Sequence, residues 1–194
     1  HGKKLFTTLA EKTYEYGKEQ EYKFVITVAN QNSSHGFLKY LGFNLVTPLL
    51  VKIGIQNVIF EEADIENHQY MRYWSQESLE WRIKNPMRPY NIREIGRNYC
   101  IYSPSGKYGI NVIMGFFNKN QYKLKSSINY REYNPLKMWM GINNKINWKI
   151  SKFITFPDKL KPSPLNLMFK DLRDLDISLD KNKIKFQAID FDPY

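Results

Sequence analysis

An α/β fold with a largely antiparallel sheet is predicted by three features: a helical period near the start, a strand-like alternation after it, and three successive alternating runs in the middle. At the start, Leu5, Phe6, Leu9, Ala10, Thr13 and Tyr16 recur at helical spacing, and Gly17 is placed to end the run. Next, Tyr22, Phe24, Ile26 and Val28 alternate with Val25 and Thr27, which predicts a strand from Tyr22 to Ala29 buried on both sides. In the middle, residues 90–95, 98–103 and 108–117 read as an antiparallel meander, with Pro104-Ser105-Gly106 as a hairpin loop.

The remaining elements follow from local signals. Ser33 or Ser34 is placed to cap a short helix that ends at Leu41 and is closed by Gly42. Two strands are predicted within residues 43–55, with Pro48 at an edge or bulge. Residues 58–62 read as another strand. A helix broken near Ser75 to Ser78 is predicted from Glu66 to Ile83, stopping before Asn85-Pro86. Trp74 and Trp81, seven residues apart, then share one helical face and pack the core. Residues 118–134 are polar and Lys-rich, which predicts a surface loop with part of a helix. Later strands are predicted at 137–142, 153–156, 165–169 and 183–191, with Lys161-Pro162-Ser163-Pro164 as a stiff, extended lead-in.

Composition bounds the class. With 42% apolar residues over 194 positions, the chain can build one domain or two small ones, which argues against disorder. The lone Cys100 excludes an intramolecular disulfide and points to a reducing compartment; within the strand-like run Tyr99 to Tyr102 it reads as a buried, inert thiol. No apolar run approaches the roughly 20 residues that span a bilayer. The nearest, Leu45 to Ile55, is interrupted by Pro48 and Lys52, so no membrane is expected. The net charge of +10 is spread along the chain without a basic helix, zinc spacing or aromatic RNA-binding signature, so nucleic acid is not expected as a partner. Such charge does suit a phosphate-bearing cofactor or substrate.

Several residues carry candidate chemistry. His1-Gly2-Lys3-Lys4-Leu5-Phe6 leads into the first helix, and the amides and dipole of a helix start can cradle a pyrophosphate. The same residues also fit an ordinary helix start with solvated lysines. His35 reads as a surface residue in preference to a base, and His68 has no ligand partner at a recognisable spacing. Glu61 and Glu62 read as a solvated strand end. Arg82 fits either a phosphate or carboxylate contact or a structural ion pair. Asp190 and Asp192 alternate with Phe191 on the last predicted strand. A metal there would need further oxygen ligands, so none is expected.

Taken together, His1 to Phe6, the helix, the strand, Asn30-Gln31-Asn32-Ser33-Ser34 and Gly36-Phe37-Leu38-Lys39-Tyr40-Leu41-Gly42-Phe43 resemble the GNAT superfamily of acyl-CoA-dependent N-acyltransferases. The family's pyrophosphate motif is Gln/Arg-x-x-Gly-x-Gly/Ala. His1 falls on its first position, while Lys4 and Phe6 stand where the glycines would, and a positive φ at Lys4 would strain a residue with a Cβ. The resemblance implies acetyl-CoA or another acyl-CoA as cosubstrate, held by Gly2, Lys3, Lys4, Leu5 and Phe6. Asn32 and Ser33 would lie beside the CoA arm or, equally, cap the short helix. The family's short helix commonly carries a Tyr that protonates the departing thiolate. Here Leu38 takes that position and Tyr40 is the nearest phenol, so Tyr40, Asn32 and His35 are the catalytic candidates and a solvent proton can serve the leaving thiolate.

Ser78-Leu79-Glu80-Trp81-Arg82-Ile83-Lys84-Asn85-Pro86 resembles a segment of GNAT-like proteins that carry a second acyltransferase-like half and are often associated with surface-polysaccharide biosynthesis. Residues 162–168 and Asp190-Phe191-Asp192 resemble the closing strands of that group. The implied organisation is a GNAT-like mixed, largely antiparallel sheet flanked by helices, with residues 1–56 as the C-terminal part of an acyl-CoA-binding core and 57–194 as a second GNAT-like half. Further residues upstream of His1 and a cytoplasmic location are expected. The implied acceptor is a small-molecule amine, with an amino sugar or nucleotide sugar as the suggested class. The alternatives are a noncatalytic GNAT-like binding module and an aminoacyl-tRNA-dependent transferase, which would use the +10 charge.

Overall fold

The structure, a computed structural model, describes residues 2–60, 68–105, 109–127, 135–160 and 163–191. In chain order its elements are α1 (Gly2–Glu19), β1 (Phe24–Ala29), α2 (Gln31–Tyr40), β2 (Asn44–Pro48), β3 (Leu50–Gly54) and β4 (Tyr70–Met71). There follow α3 (Gln76–Ile83), β5 (Asn91–Ile95), β6 (Asn98–Pro104), β7 (Asn111–Asn118) and β8 (Lys137–Ile142). Last come β9 (Ile154–Thr155), β10 (Asn166–Asp171), β11 (Ile184–Gln187) and α4 (Ala188–Phe191). The fold is α/β with mixed, largely antiparallel strand pairing. No helix among the described residues is long and apolar enough to cross a membrane.

Two compact units divide the chain: His1–Leu49 with Lys159–Lys181, and Leu50–Asp158 with Asn182–Tyr194. This differs from the division expected at residue 56, because the first unit ends at Leu49 and takes back a distant strand, β10.

In the first unit β10 lies between β1 and β2, antiparallel to both, with Phe24 opposite Asp171 and Ala29 opposite Asn166. Val25, Ala29, Phe43 and Met168 pack with Ala10, Tyr14 and Phe37 from the helices and with Leu41 just after α2. Edge-to-face contacts join Phe37 to Phe43 and Tyr14 to Phe43, with centroids 5.0 and 5.7 Å apart. β1 is shorter than predicted, and only Ala29 is fully buried along it. It ends the order β1-β10-β2, so it lacks the second neighbouring strand that a doubly buried strand would have among the described residues. Helix α1 runs two residues past Gly17, and Glu21 rather than a glycine takes the left-handed turn after it, with φ 62°. Lys4 lies within α1 and has no positive φ. Gly42 does have one, 67°, and a Cβ there would meet Lys170 Nζ, which donates to the Leu41 carbonyl at 2.7 Å.

In the second unit the order is β4-β11-β8-β7-β6-β5, with β3 on the other side of β8 and β9 beyond β3. The predicted meander is β5, β6 and β7, and β8 has the limits read from the sequence. β7 and β8 run parallel only from Asn111–Lys137 to Ile113–Trp139. Beyond that point β8 pairs with β11, and the Phe116 N–H donates to Gln187 Oε1 at 2.8 Å. The core on one sheet face contains Cys100, Tyr102, Ile113, Phe116 and Trp139, covered by Val58, Ile146 and Phe153.

Three expectations change here. The long helix from Glu66 is replaced, over its described part, by the extended pair Tyr70–Met71 and a helix that starts only at Gln76, capped by Ser75. Trp74 therefore precedes the helix and is buried, while Trp81 lies on it and is 76% exposed. The strand predicted to Phe191 ends at Gln187 and becomes a helical turn, so Asp190 does not alternate on a strand. Glu61, Glu62, Gly106, Asp192 and the later part of 118–134 lie outside the described residues.

Candidate functional site

The residues selected from the sequence for cofactor binding and catalysis all belong to the first unit. Gly2, Lys3, Lys4, Leu5 and Phe6 form the first turns of α1, whose opening turn carries no acidic residue to offset its positive end. Leu5 and Phe6 are more than half exposed, and the Phe6 ring meets Phe37 of α2 edge-on at 6.0 Å. That contact brings the start of α1 against α2.

At the start of α2 the cap is Asn30, not Ser33 or Ser34, because Asn30 is the residue with extended backbone (φ −82°, ψ 176°). Its Oδ1 accepts from the Ser33 N–H at 3.0 Å, and Ser33 Oγ accepts from the Asn30 N–H at 3.1 Å, a reciprocal capping box. The Gln31 N–H donates to Ser163 Oγ at 2.8 Å, tying the cap to the predicted Pro-rich lead-in. Of the two roles open to Ser33, capping is the one its hydroxyl performs in this geometry. Asn32 is exposed beside this cap. His35 and Tyr40 are exposed on the same helix and meet edge-on at 5.8 Å, with Lys39 Nζ 5.6 Å from the Tyr40 ring. Leu38, also on this helix, is 45% exposed.

The second unit holds further polar groups, among them Asp190 and Cys100, weighed above from the sequence, and Lys137, not selected from it. The Asp190 carboxylate accepts from Trp74 Nε1 at 2.9 Å and from the Gln187 N–H at 2.7 Å, while Arg72 donates to the Asp190 carbonyl and lies over the Trp74 ring. Burial pushes the Asp190 carboxyl up to about 6, against those hydrogen bonds and the charges of Arg72 and Lys185. Cys100 is wholly buried, and loss of solvent pushes its thiol up to about 12, which leaves it a poor nucleophile. Lys137 begins the otherwise apolar β8 yet is only 3% exposed. A lysine opening a run such as Met138-Trp139-Met140 is the sequence signal that could have singled it out. No three His, Cys, Asp or Glu side chains gather as a metal site among the described residues.

No protein-family model, curated protein or solved structure matches the chain.

Proposed function

We propose that the first unit is part of an acyl-CoA-dependent N-acyltransferase that moves an acyl group to an amino group, with an amino sugar or nucleotide sugar as the acceptor class. The observation that carries the reading is the helix–strand–helix order α1-β1-α2 in one unit, with the start of α1 held against α2 by Phe6 and Phe37. The two helix starts differ chemically. The Gln31 and Ser33 amides of α2 are occupied by Ser163 and Asn30, whereas α1 begins with a glycine followed in sequence by two lysines and has no acidic residue in its first turn. First-turn amides with a positive helix end suit a diphosphate. The exposed Asn32, His35 and Tyr40 on α2 are the side chains nearest in sequence to the reacting end of such a cofactor.

A noncatalytic binding module is the second reading. It is favoured by α2, where His35 contacts Tyr40 of its own helix and Leu38 replaces the acid.

Calorimetry with acetyl-CoA at low and moderate salt tests both. The first reading expects saturable binding that weakens about tenfold in a Lys3→Gln, Lys4→Gln variant and with added salt. Absence of binding by the unaltered chain rejects it. Binding without acyl transfer to any amino sugar selects the second.

A further inference from the structure

The second unit contains a buried positive charge that no carboxylate compensates among the described residues. Lys137 Nζ donates to the Ile55 carbonyl at 3.4 Å, the Gln56 carbonyl at 3.2 Å and Asn57 Oδ1 at 3.0 Å, and it sits 5.9 Å from the centre of the Tyr102 ring. All of these partners are neutral, and no carboxylate among the described residues pairs with Lys137. A buried ammonium that has hydrogen bonds but no counter-charge retains a net attraction for an anion.

That charge lines an open-sided cavity of about 660 Å³. Arg93 of β5, which has a partner of its own in the fold, lines the same cavity, so two cationic side chains reach it from strands on opposite sides of β6 and β7, and Lys137 is the one without a counter-charge among the described residues. The register explains the convergence. Arg93 stands opposite Cys100 on β6, and Lys137 stands opposite Asn111 on β7 and Gly54 on β3. Both charges are felt at the Cys100 thiol between them, where each opposes the effect of burial. The remaining walls include Ile55, Ile59 and Pro135, which are apolar.

We infer that this cavity binds a small organic oxyanion, with its carboxylate or phosphate group between Lys137 and Arg93 and its aliphatic part against Ile55, Ile59 and Pro135. The pairing of two cations suits an oxyanion, because Arg offers a planar fork and Lys a compact charge. The apolar walls select an anion with a hydrocarbon body over a bare inorganic ion. The site lies within the second unit and is independent of the acyl-CoA reading of the first.

Calorimetry of the full chain with hexanoate, hexyl phosphate, inorganic phosphate and hexylamine tests this. Hexanoate or hexyl phosphate is expected to bind at concentrations below about 10 mM, inorganic phosphate more weakly, and hexylamine not at all. Arg93→Gln and Lys137→Met are each expected to weaken binding at least about tenfold. Thermal melts of both variants check that they fold; if Lys137→Met does not, Arg93→Gln decides. Hexanoate against hexyl phosphate assigns the head group. The inference is overturned if neither binds, if hexylamine binds as well as the anions, or if folded Arg93→Gln binds them as the unaltered chain does.

Discussion

Trp74 Nε1 donates to the half-buried Asp190 carboxylate at 2.9 Å, fastening the segment before α3 to the helical turn α4. The bond connects residues 116 positions apart in sequence, and the same carboxylate also stops the Gln187 N–H from being orphaned where β11 ends.

A pH dependence of stability follows. Burial raises the Asp190 carboxyl from 3.8 to about 6, so the folded chain holds this proton more tightly than the unfolded chain does. The group's contribution is therefore fully present below about pH 4 and is lost as pH rises through about 6. The displacement corresponds to roughly 3 kcal/mol at 1.36 kcal/mol per pH unit, opposed by Arg72 and Lys185. Urea unfolding of the unaltered chain and of Asp190→Asn between pH 4 and 7.5 isolates the group. The difference between the two curves is expected to shift against the unaltered chain between about pH 4 and 6 and to level off above that, and a constant difference throughout would contradict the raised carboxyl.

The two tryptophans should respond oppositely to truncation. Trp74→Ala removes a buried ring and leaves Asp190 short of a donor, at an expected cost of about 3–5 kcal/mol. Trp81→Ala, at a residue 76% exposed, should change stability by less than about 0.5 kcal/mol. Denaturant midpoints of the two variants measure the contrast, and equal losses would mean that both rings face one core, as the seven-residue spacing predicts.

That spacing illustrates what the sequence could convey. A period of seven specifies a shared helical face only if the helix includes both residues, and the Ser75 cap, itself visible as Ser75-x-x-Ser78, starts the helix two residues too late for Trp74. Short-range signals elsewhere were sufficient. The alternation that predicts 137–142 is β8, and the three runs of the meander are β5, β6 and β7. What had no local signal was pairing at a distance. Nothing in Asn166–Asp171 indicates that it lies between β1 and β2, because its alternation would suit either unit equally. The cap of α2 lies three or four residues before the expected Ser33 or Ser34 for a related reason. Asn30 and Ser33 are both good cap formers, and only the backbone conformation separates the cap from its reciprocal partner.

The capping box makes a prediction that separates stability from ligand binding. Asn30→Ala removes the acceptor for the Ser33 N–H and should cost about 1 kcal/mol, and Ser33→Ala should cost somewhat less. Neither loss requires a ligand. If acetyl-CoA binds, Ser33→Ala should leave its affinity within about twofold once folding is complete, whereas Asn32→Ala should weaken it without a change in the urea midpoint. Titration of folded Ser33→Ala with a tenfold loss of affinity would restore Ser33 as a ligand contact.

Gly141 is where β8 depends most on the absence of a side chain. It pairs with Leu50 of β3 on one side and Gln187 of β11 on the other, at the point where β8 has exchanged β7 for β11 as its neighbour. Its φ of 153° is one that residues with a Cβ rarely adopt, and a Cβ built there would collide with the Phe186 carbonyl and press on the Trp139 ring. Backbone cannot yield as a flexible side chain would, so Gly141→Ala must spread β8 from β11. That would strain the ladder on which Gln187 is placed to accept from Phe116. The expected loss is about 2–4 kcal/mol, of the size of other strained or overpacked core substitutions. Hydrogen exchange should locate it, with protection falling first at Ile142 and Phe186 and at the Phe116 amide, while β5 and the β6 residues paired to it keep theirs. Uniform loss of protection across β5 to β8 would instead mean that the β8–β11 junction opens only with the whole unit.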